Sequence, residues 1–190
     1  PSDAFRQGVR IHAPGRLHMG FLDMDGSLGR KFGSIGVGLE EIETVIVLEP
    51  ASSLSAEGPD SDRALRAAQR LETALGRPLP ARIRVEKCIP PHSGLGSGTQ
   101  MALATGAGLA RLHHLALTTP EIAFACERGR RSGIGIAAFD EGGLIVDAGR
   151  TGSTRTPPVI SRLPFPEDWR FLVLLDPTHL GIHGKAEVAA

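Results

Sequence analysis

The sequence predicts an α+β fold in which a mixed sheet packs against a layer of helices. The first fifty residues alternate apolar and polar side chains or carry β-branched runs, both typical of strands. Two later segments, 60–76 and 97–112, have helical spacing instead. Between these helices a short alternating strand leads directly into a glycine-rich loop. At 190 residues the chain fits one domain with a core of its own.

The first elements are predicted to be strands. Val9 to Ala13 alternates, Pro14 and Gly15 interrupt the pattern, and 16–24 resumes it beyond a kink or bulge. A turn is then expected at 25–29, where aspartate and glycine supply the residues that tight turns need. The β-branched segment 43–49 is the strongest strand of this half.

Helices are predicted in the middle of the chain. The segment 60–76 places leucine and alanine on one stripe and ends on a glycine, a typical C-terminal signal. After a strand at 82–87, the helix at 97–112 is apolar or small on nearly every side, which predicts a buried central helix. A third helix opens at 118–120, with a threonine cap and an early proline, and is expected to end at 128–131.

The last third is expected to return to strands. Segments 133–139 and 142–147 are predicted as two short strands joined by a turn. The segment 149–168 holds four prolines and shows no periodicity, which predicts a loop. The apolar run 171–175 is predicted as a buried strand, and 185–190 has the pattern of the first turns of a helix.

The segment from Pro90 to Thr105 is the candidate functional motif. Gly94, Gly96 and Gly98 alternate there with other residues ahead of the central helix. Glycine permits positive φ and close approach of the backbone to a ligand, and free N–H groups at a helix start bind anions. The pattern predicts a phosphate site; a flexible connector is the alternative, although connectors lack a helix directly behind them. The spacing fits neither the GxxxxGK(S/T) loop nor the GxGxxG fingerprint.

Composition excludes several classes of protein. Lys and Arg number 21 and Asp and Glu also 21, so no overall basic field attracts nucleic acid or an acidic membrane. No apolar run approaches about 18 residues and no signal-peptide pattern is present, so we expect a cytoplasmic location. The two cysteines form no CxxC pair, which argues against a zinc ribbon or a disulfide scaffold. The expected partner is a small phosphorylated molecule, and the sequence leaves open whether the chain forms a homodimer.

Several cations near the glycine-rich segments are candidates for phosphate contacts, and each is equally well explained as a solvated surface charge. They are Arg16, Arg30, Lys31, Arg128, Arg130 and Arg131. The histidines do not show metal-ligand spacing on a helix. His92 either touches a ligand or caps the loop, and His18 faces either a cleft or solvent.

Three motifs resemble those of the GHMP kinase superfamily, in the same order. The stretch PHSGLGSGTQ at 91–100 resembles its phosphate-binding PxxxGLGSSx motif, which in that superfamily lies between a strand and a long buried helix. The stretch APGRLHMG at 13–20 resembles its APGR motif, and RSGIGI at 131–136, followed by two glycines at 142–143, resembles its SGxD…GG segment. The resemblance implies the ribosomal protein S5 domain 2-like fold of the GHMP kinase N-terminal domain.

Two departures from the superfamily pattern bear on function. Gly98 stands where the kinases carry a second serine, commonly a magnesium ligand, and Gly135 stands where many carry the catalytic aspartate. An ATP-dependent kinase could shift these roles to Thr99 or Asp140. The loss of both groups favours a cradle kept for another phosphorylated substrate.

Longer stretches resemble one branch of the superfamily. Segments 15–26, 33–40 and 127–135 resemble the β-ribofuranosylaminobenzene 5′-phosphate synthase (β-RFAP synthase) family of tetrahydromethanopterin biosynthesis. The resemblance implies condensation of 5-phosphoribosyl 1-diphosphate with 4-aminobenzoate, with release of carbon dioxide and diphosphate. Positioned charge is what such a reaction needs as the diphosphate leaves.

The resemblance also implies site residues. The loop that would bind a phosphate comprises Ser93, Gly94, Leu95, Gly96, Ser97, Gly98 and Thr99, assisted by Arg16, Arg30, Lys31 and Arg131. Mg²⁺ is expected as a cofactor, with Asp23 and Asp25 as candidate ligands, and no acid or base is assigned.

Members of this family are longer than this chain. We therefore expect residues 1–177 to form the GHMP-type N-terminal domain and 178–190 to begin a truncated C-terminal domain. An ATP-dependent small-molecule kinase and a non-catalytic phosphometabolite-binding module are the alternative functions.

Overall fold

The structure, a computed structural model, describes residues 8–175, which run through six strands and four helices. In chain order these are β1 (Val9–Phe21), β2 (Ser34–Pro50), β3 (Ser55–Glu57), α1 (Ser61–Leu75), β4 (Ala81–Lys87), α2 (Ser97–Leu112), α3 (Thr119–Ala125), α4 (Ile134–Asp140), β5 (Leu144–Asp147) and β6 (Val159–Leu163).

The long strand β2 organises the sheet. One of its edges pairs with β1, and the other pairs with β5 near its start and with β4 near its end, all antiparallel. The strands β3 and β6 extend the sheet on either side, giving the order β3-β4-β2-β5-β6. The pair β3–β4 is parallel and the others are antiparallel, so the predicted mixed sheet is confirmed.

The first strand is interrupted where the sequence predicts it. Its pairing with β2 shifts register between Pro14 and Arg16, and again between His18 and Gly20. The first shift lets the backbone N–H of Arg16 donate to the carbonyl of Leu95, at 3.0 Å, outside the sheet. The bulge therefore attaches β1 to the glycine-rich loop.

The central helix α2 is buried, as predicted. Met101 and Leu109 pack in one core cluster with Leu48 of β2 and Leu71 of α1. At Gly108 an added Cβ would lie 2.2 Å from Cδ1 of Leu48, so the helix approaches the sheet more closely than any larger residue permits. The core thus lies between the helices and the sheet.

The helix α3 begins as predicted and ends earlier. Thr118 and Glu121 form a reciprocal capping box at its start. The predicted end at 128–131 is wrong, because the helix stops at Ala125. Glu127 and Gly129 adopt φ values of 56° and 72°, which a right-handed helix does not accommodate.

The predicted strand at 133–139 is wrong, because α4 occupies this segment. The prediction followed the alternation of Ile134, Ile136 and Ala138, and all three are buried. This short helix contacts the sheet on one side and α2 and α3 on the other, so most of its side chains are covered. Because the helix is buried on two sides, its apolar residues recur at every second position, as they do in a half-buried strand. The following strand, predicted at 142–147, is confirmed as β5.

The segment after β5 also differs from the prediction. The predicted loop 149–168 contains β6, which pairs with β5 at the sheet edge. The predicted buried strand 171–175 is wrong, since it has no strand structure and Leu172 and Leu174 are 86% and 84% exposed. Of this run, Val173 is partly buried and packs with Leu39, Ile89 and Leu95. In addition, β2 begins at Ser34 rather than Glu43, and β3 was not predicted.

The predicted domain boundary at 177–178 and the predicted helix at 185–190 lie outside the described residues. Within residues 8–175, none of the helices combines the length and apolarity that a bilayer crossing requires.

Candidate functional site: the glycine loop and its arginines

The glycine loop, residues 91–96, joins β4 to α2. Gly94 and Gly96 adopt φ values of 77° and 84°, and Gly96 is the N-cap of the helix without a side-chain cap bond. A Cβ added at Gly94 would meet nothing within 4 Å, so the backbone there faces open space. The first amides of a helix have no acceptor within the helix and carry partial positive charge. The loop therefore combines an open backbone at Gly94 with a helix start of the kind that binds anions.

The other residues predicted to line the loop have distinct positions. Ser93 closes the turn by donating to the carbonyl of Pro90, at 2.7 Å. Leu95 is buried and packs with Leu39 and Ile89. Ser93 and Leu95 thus hold the loop in place, whereas the backbone at Gly94 is open. The phosphate-binding role of the loop residues stays a prediction.

Arg16 of β1 lies against the glycine loop. Its guanidinium donates to the carbonyl of Gly94, in addition to the backbone bond with Leu95. A Cβ added at Gly96 would lie 3.4 Å from the Arg16 side chain. The structure therefore places this predicted residue beside the loop.

Arg63 of α1 joins the site, although the sequence did not single it out. Its Nη2 donates to Nε2 of His92 at 2.8 Å, and its Nη1 donates to Oγ of Ser97 at 3.3 Å. Its Nε lies 3.5 Å from Asp60. Because arginine only donates, Nε2 of His92 is the acceptor in this contact. His92 is thus held between the loop and α1, and no local pattern in α1 signals a contact about thirty residues away.

Arg128 faces the first turn of α2 at Gly98. Its Nη2 lies 3.5 Å from the position of a Cβ added at Gly98. Burial, and then the charges of Arg70 and Arg63, lower the pKa of Arg128. The missing side chain at position 98 therefore leaves room beside this guanidinium.

Position 135, the second departure from the kinase pattern, also adjoins this turn. The carbonyl of Gly135 accepts from Nε2 of Gln100 at 2.8 Å. A Cβ added at Gly135 would lie 3.3 Å from Cγ2 of Thr99. The two glycines that the sequence singled out thus border the same helical turn on different sides.

Arg131 lies over an aromatic cluster rather than in the turn itself. Its Cζ is 6.0 Å from the centre of the Phe32 ring, which stands 5.4 Å from Phe21. The His18 ring packs against Phe21 at a tilt, with the ring centres 4.6 Å apart. We call His18, Phe21 and Phe32 the aromatic cluster. It lies on and beside β1, two residues along from Arg16.

His18 is a partly buried member of that cluster. Its Nε2 is buried and has no hydrogen-bond partner among residues 8–175. Burial, and then the charge of Arg16, lower the pKa of His18, while Asp147 acts in the opposite direction. The ring is therefore neutral at pH 7 and faces the interior, which favours the cleft over solvent.

Arg30 and Lys31 hold a different loop. Arg30 donates from Nε to the carbonyl of Ala148 at 2.8 Å and from Nη2 to that of Gly149 at 3.0 Å. The backbone of Lys31 pairs with Arg150. These contacts fasten the turn at 25–31 to the chain after β5, and a phosphate-binding role for either residue stays a prediction.

The two aspartates predicted to bind Mg²⁺ build this turn. The carboxylate of Asp23 accepts from the amides of Gly26 and Leu28, at 2.8 and 3.0 Å. Asp25 accepts from the amide of Ser27 at 3.0 Å, a bond that lowers its pKa. No group of three or more His, Cys, Asp or Glu side chains among residues 8–175 is arranged to hold a metal ion. Both carboxylates serve the turn, and Mg²⁺ binding by them stays a prediction.

The strand, glycine loop and buried helix, with an arginine from β1 beneath the loop, match a known domain. Residues 62–143 match the family described as GHMP kinases N terminal domain. Over this range the chain is similar to the GHMP kinases. Its likeness to solved structures agrees: a 4-(cytidine 5′-diphospho)-2C-methyl-D-erythritol kinase superposes with a TM-score of 0.59 at 22% identity, covering 83% of this chain and 56% of that one. At that identity the likeness shows the fold alone.

The proteins to which the chain is similar include archaeal synthases. The chain is 36% identical over 200 residues to beta-ribofuranosylphenol 5′-phosphate synthase of Methanothermobacter thermautotrophicus, covering 94% of this chain. It is 38% identical over 194 residues to the protein of the same name from Archaeoglobus fulgidus, covering 95% of this chain. The chain spans 61% of the length of both relatives. Their names contain a phenol where the resemblance of the motifs implied an aminobenzene.

Proposed function

We propose that this GHMP-type chain is part of a synthase that joins a ribose 5-phosphate unit to an aromatic ring. The main support is the geometry of the first turn of α2. Arginines from three other segments lie beside the amides at this helix start, and positions 98 and 135 next to it are glycine. This arrangement supplies positive charge and lacks the serine and aspartate of the kinase pattern. Likeness to the archaeal synthases over most of the chain supports the same reaction.

The proposed reaction breaks two bonds and forms one. Diphosphate leaves C1 of phosphoribosyl diphosphate with the electron pair of the C1–O bond, so C1 becomes positively charged. The ring carbon that bears the carboxylate attacks C1, and carbon dioxide then departs, returning its bonding electrons to the ring. Open amides and guanidinium groups stabilise the charge that develops on the leaving group. Arg16 and the glycine loop position the phosphorylated substrate.

The aromatic acceptor is proposed to lie on the aromatic cluster. Phe21 and Phe32 offer ring faces for stacking, and the Arg131 guanidinium over Phe32 attracts a carboxylate. A para hydroxyl group and a para amino group both donate electrons into the ring at the attacking carbon. The names of the relatives favour 4-hydroxybenzoate, and 4-aminobenzoate is the alternative acceptor.

The decisive test of the reaction uses the complete protein from which this chain derives. Phosphoribosyl diphosphate is supplied with each benzoate in turn, carboxyl-labelled, and labelled carbon dioxide and diphosphate are measured together. We expect equimolar release with the preferred acceptor. Formation of ADP from ATP and a small alcohol, without carbon dioxide release, would show a kinase. Binding without either reaction would show a non-catalytic module.

The glycine loop is tested by binding to the 190-residue chain. Gly96→Val places a branched side chain at φ 84° against Arg16, so we expect it to abolish binding of phosphoribosyl diphosphate in calorimetry. Gly152→Val is the matched control, because a Cβ there meets nothing within 4 Å. Equal affinity in the Gly96 variant and the control would refute the site.

A further inference from the structure

A cavity of about 90 Å³ lies between α1, the first turns of α2 and the chain after α3. Four arginines line it, and we call it the arginine cavity: Arg63, Arg66, Arg70 and Arg128. Gly98 and Ala102, one turn apart on α2, form its other wall. The cavity is therefore contiguous with the first turn of α2.

The arginines of α1 converge because of their spacing. Arg63, Arg66 and Arg70 follow one another at intervals of three and four residues, which places them on one face of the helix. Arg128 reaches the same space from the turn after α3, where its backbone N–H donates to the carbonyl of Ala123 at 2.7 Å. The left-handed residue Glu127 produces that turn.

The cavity carries more positive than negative charge. Arg63 lies 3.5 Å from Asp60, and Arg70 lies 3.2 Å from Glu127. Arg66 and Arg128, by contrast, form no ion pair with a carboxylate of residues 8–175. Two guanidinium groups are thus left to face an outside anion.

Arg128 has a buried donor that the described part of the protein does not satisfy. Its Nε is buried and has no hydrogen-bond acceptor among the described residues. A buried donor without an acceptor is unfavourable. Burial, followed by repulsion from Arg70 and Arg63, lowers the pKa of Arg128 and thus acts against its charged form. A bound anion would supply the acceptor and relieve the repulsion.

The size of the cavity limits the ligand. It holds more than the single water that needs about 10–15 Å³, and it is well below the roughly 300–1,000 Å³ of a site for a drug-sized molecule. A neighbouring open groove of about 400 Å³ shares Arg66 and Arg70 with it. The pair of spaces suits a compact, multiply charged anion attached to a larger group.

We propose that the arginine cavity binds the diphosphate group of the substrate and retains it as the leaving group. Guanidinium pairs recognise phosphate oxygens bidentately, and the adjoining α2 amides at Gly98 add neutral donors. The identity of the ligand as phosphoribosyl diphosphate rests on the proposed function; the recognition of a diphosphate does not.

The test is calorimetric titration of inorganic diphosphate into the 190-residue chain, in EDTA so that no metal–diphosphate complex is titrated. Arg66→Gln and Arg128→Gln each remove one charged partner, and we expect each to weaken binding by about tenfold to a hundredfold. Arg82→Gln is the matched control, since Arg82 is an exposed arginine of β4 paired with Glu57. We expect wild-type affinity in that control.

Arg66 is exposed, so its variant separates loss of binding from loss of folding, which thermal unfolding verifies. Wild-type affinity in both cavity variants would overturn the proposal, as would equal weakening in the Arg82 control. Repeating the titration with phosphoribosyl diphosphate and with ATP distinguishes the sources of the diphosphate. Parallel losses for inorganic diphosphate and phosphoribosyl diphosphate support the proposal, and a loss confined to ATP overturns it.

Failure of the proposed function gives a different result. If the complete protein forms no carbon dioxide while diphosphate binding still requires Arg66 and Arg128, the synthase reaction is refuted and the diphosphate site stands. If carbon dioxide is formed while the affinity for diphosphate is unchanged in both arginine variants, the proposed site is refuted and the reaction is retained.

Discussion

Two glycine-rich segments border the first turn of α2, and they use their backbone amides differently. In the segment 93–99 the helix starts at Gly96 without a side-chain cap bond, and Arg16 and Arg128 lie beside it. In the segment 132–149 the amides of Gly133 and Gly149 both donate to the carboxylate of Asp147, at 2.8 and 2.9 Å. The first segment has no carboxylate of its own at the helix start, whereas the second supplies the anion from within the chain.

Asp147 is 1% exposed and also receives bonds from serines. The hydroxyls of Ser34 and Ser132 donate to it at 2.6 and 2.9 Å, and the amide of Ser34 donates at 3.2 Å. A carboxylate with this many donors joins β2, α4 and β5 into one unit. Glycine content alone therefore does not mark a ligand site. What matters is whether a side chain of the protein already accepts hydrogen bonds from the backbone amides.

The largest expected effect comes from removing the internal anion. Asp147→Ala leaves several buried donors without an acceptor, and we expect it to lower the free energy of unfolding by at least about 3 kcal/mol. Urea denaturation measures this change. Asp168→Ala, at an exposed position, should change stability by less than about 0.5 kcal/mol. Equal stability of the two variants would contradict the structural role of Asp147.

A second prediction compares one glycine from each segment. Gly149 and Gly94 have φ values of 66° and 77°, so alanine is strained at both. A Cβ at Gly149 would lie 2.2 Å from the carbonyl oxygen of Lys31, whereas one at Gly94 meets nothing within 4 Å. We expect Gly149→Ala to cost about 2 kcal/mol more than Gly94→Ala, because overpacking adds to the strain. Equal losses in the free energy of unfolding, measured by chemical denaturation, would show that both positions accommodate an added side chain equally well.

The smallest expected effect concerns pH and His18, which lies between the two segments. Its pKa is lowered from the ordinary value of 6.5 in the folded protein, so the unfolded chain takes up a proton that the folded chain does not. Stability therefore falls as the pH falls below about 6.5, and His18→Gln should reduce this dependence. Urea denaturation across that range provides the measurement. His114→Asn, at an exposed position, serves as the control and should keep the wild-type slope.

Local patterns predicted those elements whose physical causes are local. The helix 61–75 has an apolar stripe and a left-handed glycine at its end, and the helix 97–112 has a buried composition throughout. The prediction failed where two different structural environments produce the same pattern of apolar residues in the sequence. The alternation in 133–139 comes from a helix covered on both sides, and the apolar run 171–175 lies outside the sheet with Leu172 and Leu174 exposed.

The sequence by itself determined the likeness to the GHMP kinases, the strand–glycine loop–helix unit and the two glycines that depart from the kinase pattern. These depend on glycine conformation and helix burial, which neighbouring residues specify. Only the tertiary structure decided which cations meet the loop. Arg16 reaches it through a bulge, Arg63 and Arg128 reach it from α1 and from the turn after α3, and Arg30 is directed elsewhere. The physical reason is that charge recognition depends on distances in space, and segments far apart in the chain come together only when the core packs.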